Sequence, residues 1–236
     1  MSSPILPRVL RRALLSALAV AALSVFPRNA DAMSIVSADL TPGLTFVDLG
    51  FATVTSTNGP FASKTVAGYK STGVGGGLEG GEIDLHGEII TFVFAQPQSI
   101  TKLVLANLYA AHEHDDAYNE QALIRVTFAG GGGADYVLSL TSATTATFTG
   151  PGTVTNLSPG LFTGGGAWKL TDPFGSAAVK TIQLLAIGPP QPEDMRNNDY
   201  GFHSMYSVVA IPEPGGLALV SAGLGGLALF GRRRAS

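Results

Sequence analysis

The sequence predicts an all-β domain, a β-sandwich or jelly roll, flanked by an N-terminal signal helix and a C-terminal transmembrane helix. Three observations lead there. Apolar residues through the middle of the chain recur at every second position, the period of half-buried strands. Glycine is abundant, 30 of 236 residues, and clusters between the alternating segments. Each end carries an uncharged apolar run beside arginines.

At the N-terminus, Met1–Arg12 is short and basic, and Ala13–Phe26 is an unbroken run of apolar and small residues. Fourteen helical residues cover about 21 Å, short of a hydrocarbon core of about 30 Å. The run therefore reads as the hydrophobic region of a secretory signal peptide rather than as an uncleaved anchor or a buried core helix. Small residues at Ala30 and Ala32 supply the processing site, and cleavage is expected after Ala32. The general secretion route is favoured, because the residues after Arg11-Arg12 lack a twin-arginine pattern.

The middle, from Met33 to Ala210, holds the alternation. Glu88–Phe94 places Ile90, Phe92 and Phe94 on one face. Leu123–Phe128 does the same with Ile124, Val126 and Phe128, and Asp135–Leu140 with Tyr136, Leu138 and Leu140. Lys180–Ile187 and Tyr200–Ala210 follow the same rule. Weaker strands are expected at Thr45–Leu49, Ala52–Thr57, Thr65–Tyr69, Lys102–Asn107, Thr144–Thr149 and Ala167–Leu170. No segment keeps a helical period for three turns. About ten short strands joined by turn-rich segments make a sandwich or jelly roll.

Composition narrows the chemistry. There is no cysteine, which excludes disulfide scaffolds, thiolate zinc sites and iron–sulfur clusters. Between Met33 and Ile211, seven basic residues stand against fifteen acidic ones, a net charge of −8. Such a domain has no electrostatic footprint for nucleic acid. Gly75–Gly80 fits G-x-G-x-x-G on paper, but a strand rather than a helix is expected after it, so it reads as a loop. There is no nucleophile elbow, and nothing singles out a pair of carboxylates for glycoside hydrolysis.

His112, Glu113, His114, Asp115 and Asp116 form the densest polar cluster, with Asn119 and Glu120 close behind. Three readings stand: a solvated loop, a calcium site built from the carboxylates, or a metal held by His112 and His114. Tyr109, Tyr118, Phe162 and Trp168 are candidates for stacking on sugars, although most aromatics of a β-domain lie in its core.

At the C-terminus, Ile211-Pro212-Glu213-Pro214 precedes the uncharged run Gly215–Phe230, and Arg232, Arg233 and Arg234 close the chain. The prolines force an extended entry. The run suits a membrane helix over 215–231, and the arginines hold its end in the cytoplasm, leaving the bulk of the chain on the other side. The domains expected are thus a signal peptide (1–32), a β-sandwich (33–210) and a tail (211–236).

This tail resembles the PEP-CTERM sorting signal: a Pro-Glu-Pro motif, one hydrophobic helix and a terminal arginine cluster, in that order. The stretch from Gly73 to Phe94 and the closing strand before the motif are similar to the globular region of that family. The resemblance implies processing near Pro212, Glu213 and Pro214 by exosortase, a membrane cysteine protease, with Arg232–Arg234 as the stop. It implies an inner-membrane intermediate followed by release to the cell surface or matrix. Its jelly roll is like those of carbohydrate-binding modules, in which a calcium ion often ties an early loop to the last strand. Glu82, Asp84 and Asp199 are the residues such a site would use here; an acidic, soluble surface is the plainer reading. The expected function is non-enzymatic: structural, or binding extracellular polysaccharide. The alternatives are an enzyme acting on polysaccharide and a metal-binding envelope protein. No cofactor other than calcium is expected.

Overall fold

The structure, a computed structural model, describes residues 32–66, 68–76, 80–85, 87–111, 118–158, 166–188 and 198–209. The segments expected to form a signal helix and a membrane helix, the Pro-Glu-Pro motif, and His112, His114, Asp115 and Asp116 lie outside these residues. Among the described residues the architecture is all-β, with one 3-10 turn at Ser37–Asp39 and no α-helix. No helix among them is long and apolar enough to cross a membrane.

The strands are β1 (Ala32–Val36), β2 (Phe46–Asp48), β3 (Ala52–Thr57), β4 (Phe61–Val66), β5 (Tyr69–Val74), β6 (Ile89–Leu108), β7 (Gln121–Phe128), β8 (Gly133–Ser142), β9 (Thr145–Phe148), β10 (Thr153–Asn156), β11 (Gly166–Thr171), β12 (Val179–Ile187) and β13 (Gly201–Val209). Every ladder between them is antiparallel. The alternation that predicts them is the alternation observed. In β7, Ala122, Ile124 and Val126 are buried while Arg125 and Thr127 are exposed.

The twenty-residue β6 belongs to two wings. Its first half pairs with β3 and β12, and the ladder continues through β7 and β8 to β9, with β2 beyond β3. Its second half pairs with β13 and β11; β10 lies beyond β11, and β1 and β5 beyond β13. The core draws on both: Phe92 of the first wing meets Phe202 of the second, with ring centroids 4.9 Å apart.

The alternation predicts two separate strands here, Glu88–Phe94 and Lys102–Asn107, parted by Gln96-Pro97-Gln98. The structure joins them through a bulge. Val179 of β12 pairs with Gln98 and Thr181 with Val93, so Phe94–Pro97 stand opposite Lys180 alone. Proline lacks the N–H that a regular ladder needs, and a bulge is where a strand tolerates it. The carbonyls freed by the bend find a donor in Lys180, whose Nζ reaches Phe94 O at 2.5 Å and Ala95 O at 3.2 Å. The amide of Ala95 donates to Phe51 O at 2.9 Å.

A second difference concerns Thr65–Tyr69. That segment is not one strand but the tip of the β4–β5 hairpin: Thr65 and Val66 end β4, Tyr69 begins β5, and Val66 pairs with Tyr69 across the turn. The hairpin lies against the outer side of the second wing. Ser71 sits on Gly201 so closely that a methyl there would meet its Oγ at 2.3 Å. Tyr69 donates its hydroxyl to Leu157 O at 2.8 Å. Gly201, Ala106 and Ala167 form one row across β13, β6 and β11, and the amide of Leu157 continues it by donating to Ala167 O at 2.9 Å. Ala106 and Ala167 are fully buried yet stand outside the main core cluster. Only small side chains leave room for the Tyr69 ring to span that row.

Glycine is required where chains press together. A Cβ on Gly73 would sit 2.2–2.4 Å from the backbone of Glu82, whereas one on Gly130 would meet nothing within 4 Å. Gly73→Ala is therefore expected to destabilise the domain by about 3 kcal/mol, and Gly130→Ala by no more than about 0.5 kcal/mol. Urea unfolding of the two variants checks this.

Candidate functional site

Of the acidic residues singled out in the sequence, Glu82, Asp84 and Asp199 are buried, and each is engaged. Glu82 is 2% exposed; its carboxylate meets Lys64 Nζ, and its carbonyl accepts the amide of Val74 at 2.8 Å. Ile83 and Tyr200 exchange backbone hydrogen bonds of 2.6 and 3.3 Å. That bridge sets Asp84 opposite Asp199, so two of the three acids expected to share an ion lie on adjoining segments. Glu88 serves the backbone instead, its Oε2 accepting the amide of Asp84 at 3.1 Å.

Glu120 stands close behind the His112 cluster in the sequence, and the structure engages it with the backbone. It is 1% exposed and accepts two backbone amides, from Tyr109 and from Asp199, the latter at 3.4 Å. Beside it, Asn119 Oδ1 accepts the amide of Ala111 at 2.9 Å. Together these side chains tie the end of β6 to the approach of β7 and to the segment leading into β13. Nothing in the sequence separates Glu120 from the other acids, because the amides it accepts are distant in the chain.

A calcium ion asks for six to eight oxygens. Glu82 is engaged by Lys64, and Glu88 and Glu120 by backbone amides. Among the described residues no group of three or more histidine or acidic side chains is placed to hold a metal. The donor set on Asp84 and Asp199 does not by itself fit the ion. Removing the Glu120 carboxylate leaves two buried amides without their acceptor. Glu120→Ala is expected to cost about 3 kcal/mol, read as a shift in the urea midpoint.

Tyr200 is fully buried and donates its hydroxyl to Leu185 O at 3.0 Å. Burial pushes its hydroxyl well above the usual tyrosine range. A pKa raised on folding gives stability that is whole below the unfolded value, about 10, and is lost as pH rises towards the folded value. Stability is thus expected to fall steeply above about pH 10. Tyr200→Phe should soften that fall while costing about 1 kcal/mol at neutral pH; chemical denaturation across pH 8–12 measures both.

The aromatic candidates divide by face. Trp168 and Tyr109 are 1% and 7% exposed, and the Trp168 indole N–H donates to Leu108 O at 3.2 Å. They fill the interior and are not available to a sugar, because the alternation of β11 turns Trp168 inward with Leu170. Tyr118 is 45% exposed, and Phe162 lies outside the described residues. Two exposed aromatics that the sequence reading missed are Phe46 on β2, 52% accessible, and Tyr206 on β13, 38% accessible. Bulges on either side of Ser204–Tyr206 break the simple period of β13.

Tyr206 belongs to a row on the outer side of the second wing. Ser34 pairs with Tyr206, Tyr206 with Lys102, Lys102 with Thr171, and Thr171 with Thr153. Five strands at about 4.8 Å make the row about 19 Å wide. Lys102 Nζ lies 3.7 Å from the centre of the Tyr206 ring, a cation–π contact. No protein-family model, no curated protein and no solved structure matches the chain.

Proposed function

We propose that this chain is an exported, non-enzymatic protein of the PEP-CTERM kind, a jelly-roll sandwich delivered to the cell surface or matrix, where it serves structurally or binds extracellular polysaccharide. In this reading the signal peptide is removed after Ala32, and exosortase processes the chain near Pro212, Glu213 and Pro214. Gly215–Phe230 and Arg232–Arg234 hold it at the inner membrane until then.

One observation carries the reading: β1 and β13 pair along their length, with Ala32 opposite Val208. The two segments that would enter the membrane therefore leave the domain from neighbouring strand ends. Adjacent strand ends suit a chain that is read as meeting one membrane at both of its processing points, and in this way support the reading. Two wings sharing β6, with Phe92 packed on Phe202 between them, support the sandwich.

Replacing Pro212, Glu213 and Pro214 with alanine is expected to leave full-length protein in the inner membrane. Ending the chain at Ile211 is expected to release the domain in soluble form. Fractionation and intact-mass analysis in a host that has exosortase decide it. Motif variants that reach the surface at the normal processed mass would overturn the sorting reading.

A further inference from the structure

The six basic residues among those described are not evenly compensated. Lys64 meets Glu82, Arg125 forms a two-pronged pair with Asp135, and Lys180 caps the carbonyls of the β6 bend. The other three are Lys70, Lys102 and Lys169, and all belong to the outer side of the second wing. Lys102 and Lys169 lie diagonally across β6 and β11, since Lys102 pairs with Thr171 two residues along from Lys169. Their neighbours Leu103, Leu105, Trp168 and Leu170 fill the core, so the lysines face away from it. Diagonal positions of this kind are about 7–8 Å apart. Lys70 is exposed, and its carbonyl is held at 2.6 Å by Nδ1 of His203 on β13. Asp172 adjoins this side at the end of β11, and Asp39, which accepts the amide of Val36 at 2.8 Å, adjoins it at the end of β1; among the described residues three cations thus stand against two anions, in a domain whose middle carries a net charge of −8.

Between these cations lie an exposed tyrosine ring and a line of hydroxyls: Tyr206, Ser34, Thr171 and Thr153. An aromatic ring offers a face to the C–H side of a pyranose, and hydroxyls exchange hydrogen bonds with sugar hydroxyls. Ammonium groups set into the same flat surface choose ligands that bring carboxylates. We propose that this face binds an anionic polysaccharide, a chain of pyranose units carrying carboxylates, with Lys102 turning from the Tyr206 ring to one acid group, Lys169 on another, and a sugar ring on the aromatic face so cleared. The inference rests on the polysaccharide-binding reading above and names its ligand class and surface. Complementarity of charge selects this occupant over a neutral glycan, and the spread of hydroxyls along the row selects it over a lipid headgroup.

The test uses the full chain purified in detergent and three probes: polygalacturonate, its fully methyl-esterified form, and vesicles of phosphatidylglycerol. Binding to polygalacturonate is expected to weaken about tenfold or more from 0.05 to 0.5 M salt as the lysines are screened. The esterified chain is expected to bind at least about tenfold less tightly, because it offers the same rings without charge. Lys102→Gln with Lys169→Gln, and separately Tyr206→Ala, should each cost about five- to tenfold in Kd. Arg125→Gln, on the other wing, should leave Kd unchanged. Salt dependence and the esterified probe need no variant, so they decide even if a substitution harms folding. Equal binding of both polysaccharides overturns the anionic class but leaves polysaccharide binding standing. Binding of neither polysaccharide overturns both. Vesicle binding that is lost in the lysine variants, without polygalacturonate binding, reassigns the face to membrane.

Discussion

A strand of twenty residues interrupted by proline cannot remain one straight ladder, and the rest of this structure follows from how β6 solves that problem. Its first half satisfies β3 and β12 and its second half β13 and β11, with a bend between. The bend costs backbone pairing at Phe94–Pro97, and Lys180 restores much of it by donating to two carbonyls. A lysine that looks like surface solubility in the sequence is therefore a structural donor. Both wings take their registers from β6, and the aromatic contact of Phe92 with Phe202 exists because one strand brings the wings together.

The same economy governs the buried carboxylates. A chain with few charges still buries Glu82, Asp84, Glu88, Glu120 and Asp199, and an unsatisfied buried charge is strongly destabilising. These acids sit where irregular segments meet strands, the places where amides lack ladder partners. Glu120 and Glu88 accept such amides, and Glu82 meets Lys64. The acids work as fasteners for loops, which explains why their clustering in the sequence resembles a metal site without three of them converging on one point among the described residues.

Much of the fold was legible because side chains facing one core must alternate. Ile90, Phe92 and Phe94, or Ile124, Val126 and Phe128, announce their strands and their inward faces without any help. What escaped has local physical causes. Gln96-Pro97-Gln98 reads as a break because a bulge and a loop share the same residues. Thr65–Tyr69 alternates like one strand because it joins the ends of two, Thr65 and Val66 of β4 and Tyr69 of β5, on either side of a tight turn. Tyr206 was hidden by bulges that shift the period of β13. Trp168 and Tyr109 looked like sugar platforms because composition alone does not tell which face of a strand a ring occupies.

The pairing of β1 with β13 has a consequence in time as well as in space. A ribosome delivers Ala32–Val36 long before Gly201–Val209, so the first strand emerges with its partner still unmade. β5 and the second half of β6 share that wait, because β13 is a partner of both. Closing a loop of that length comes late and slowly. Until the last nine residues of the domain arrive, three strands present open edges, the form of β-structure most prone to joining the wrong neighbour. The molecule thus carries its own completeness check: a chain truncated anywhere before β13 cannot hide its edges.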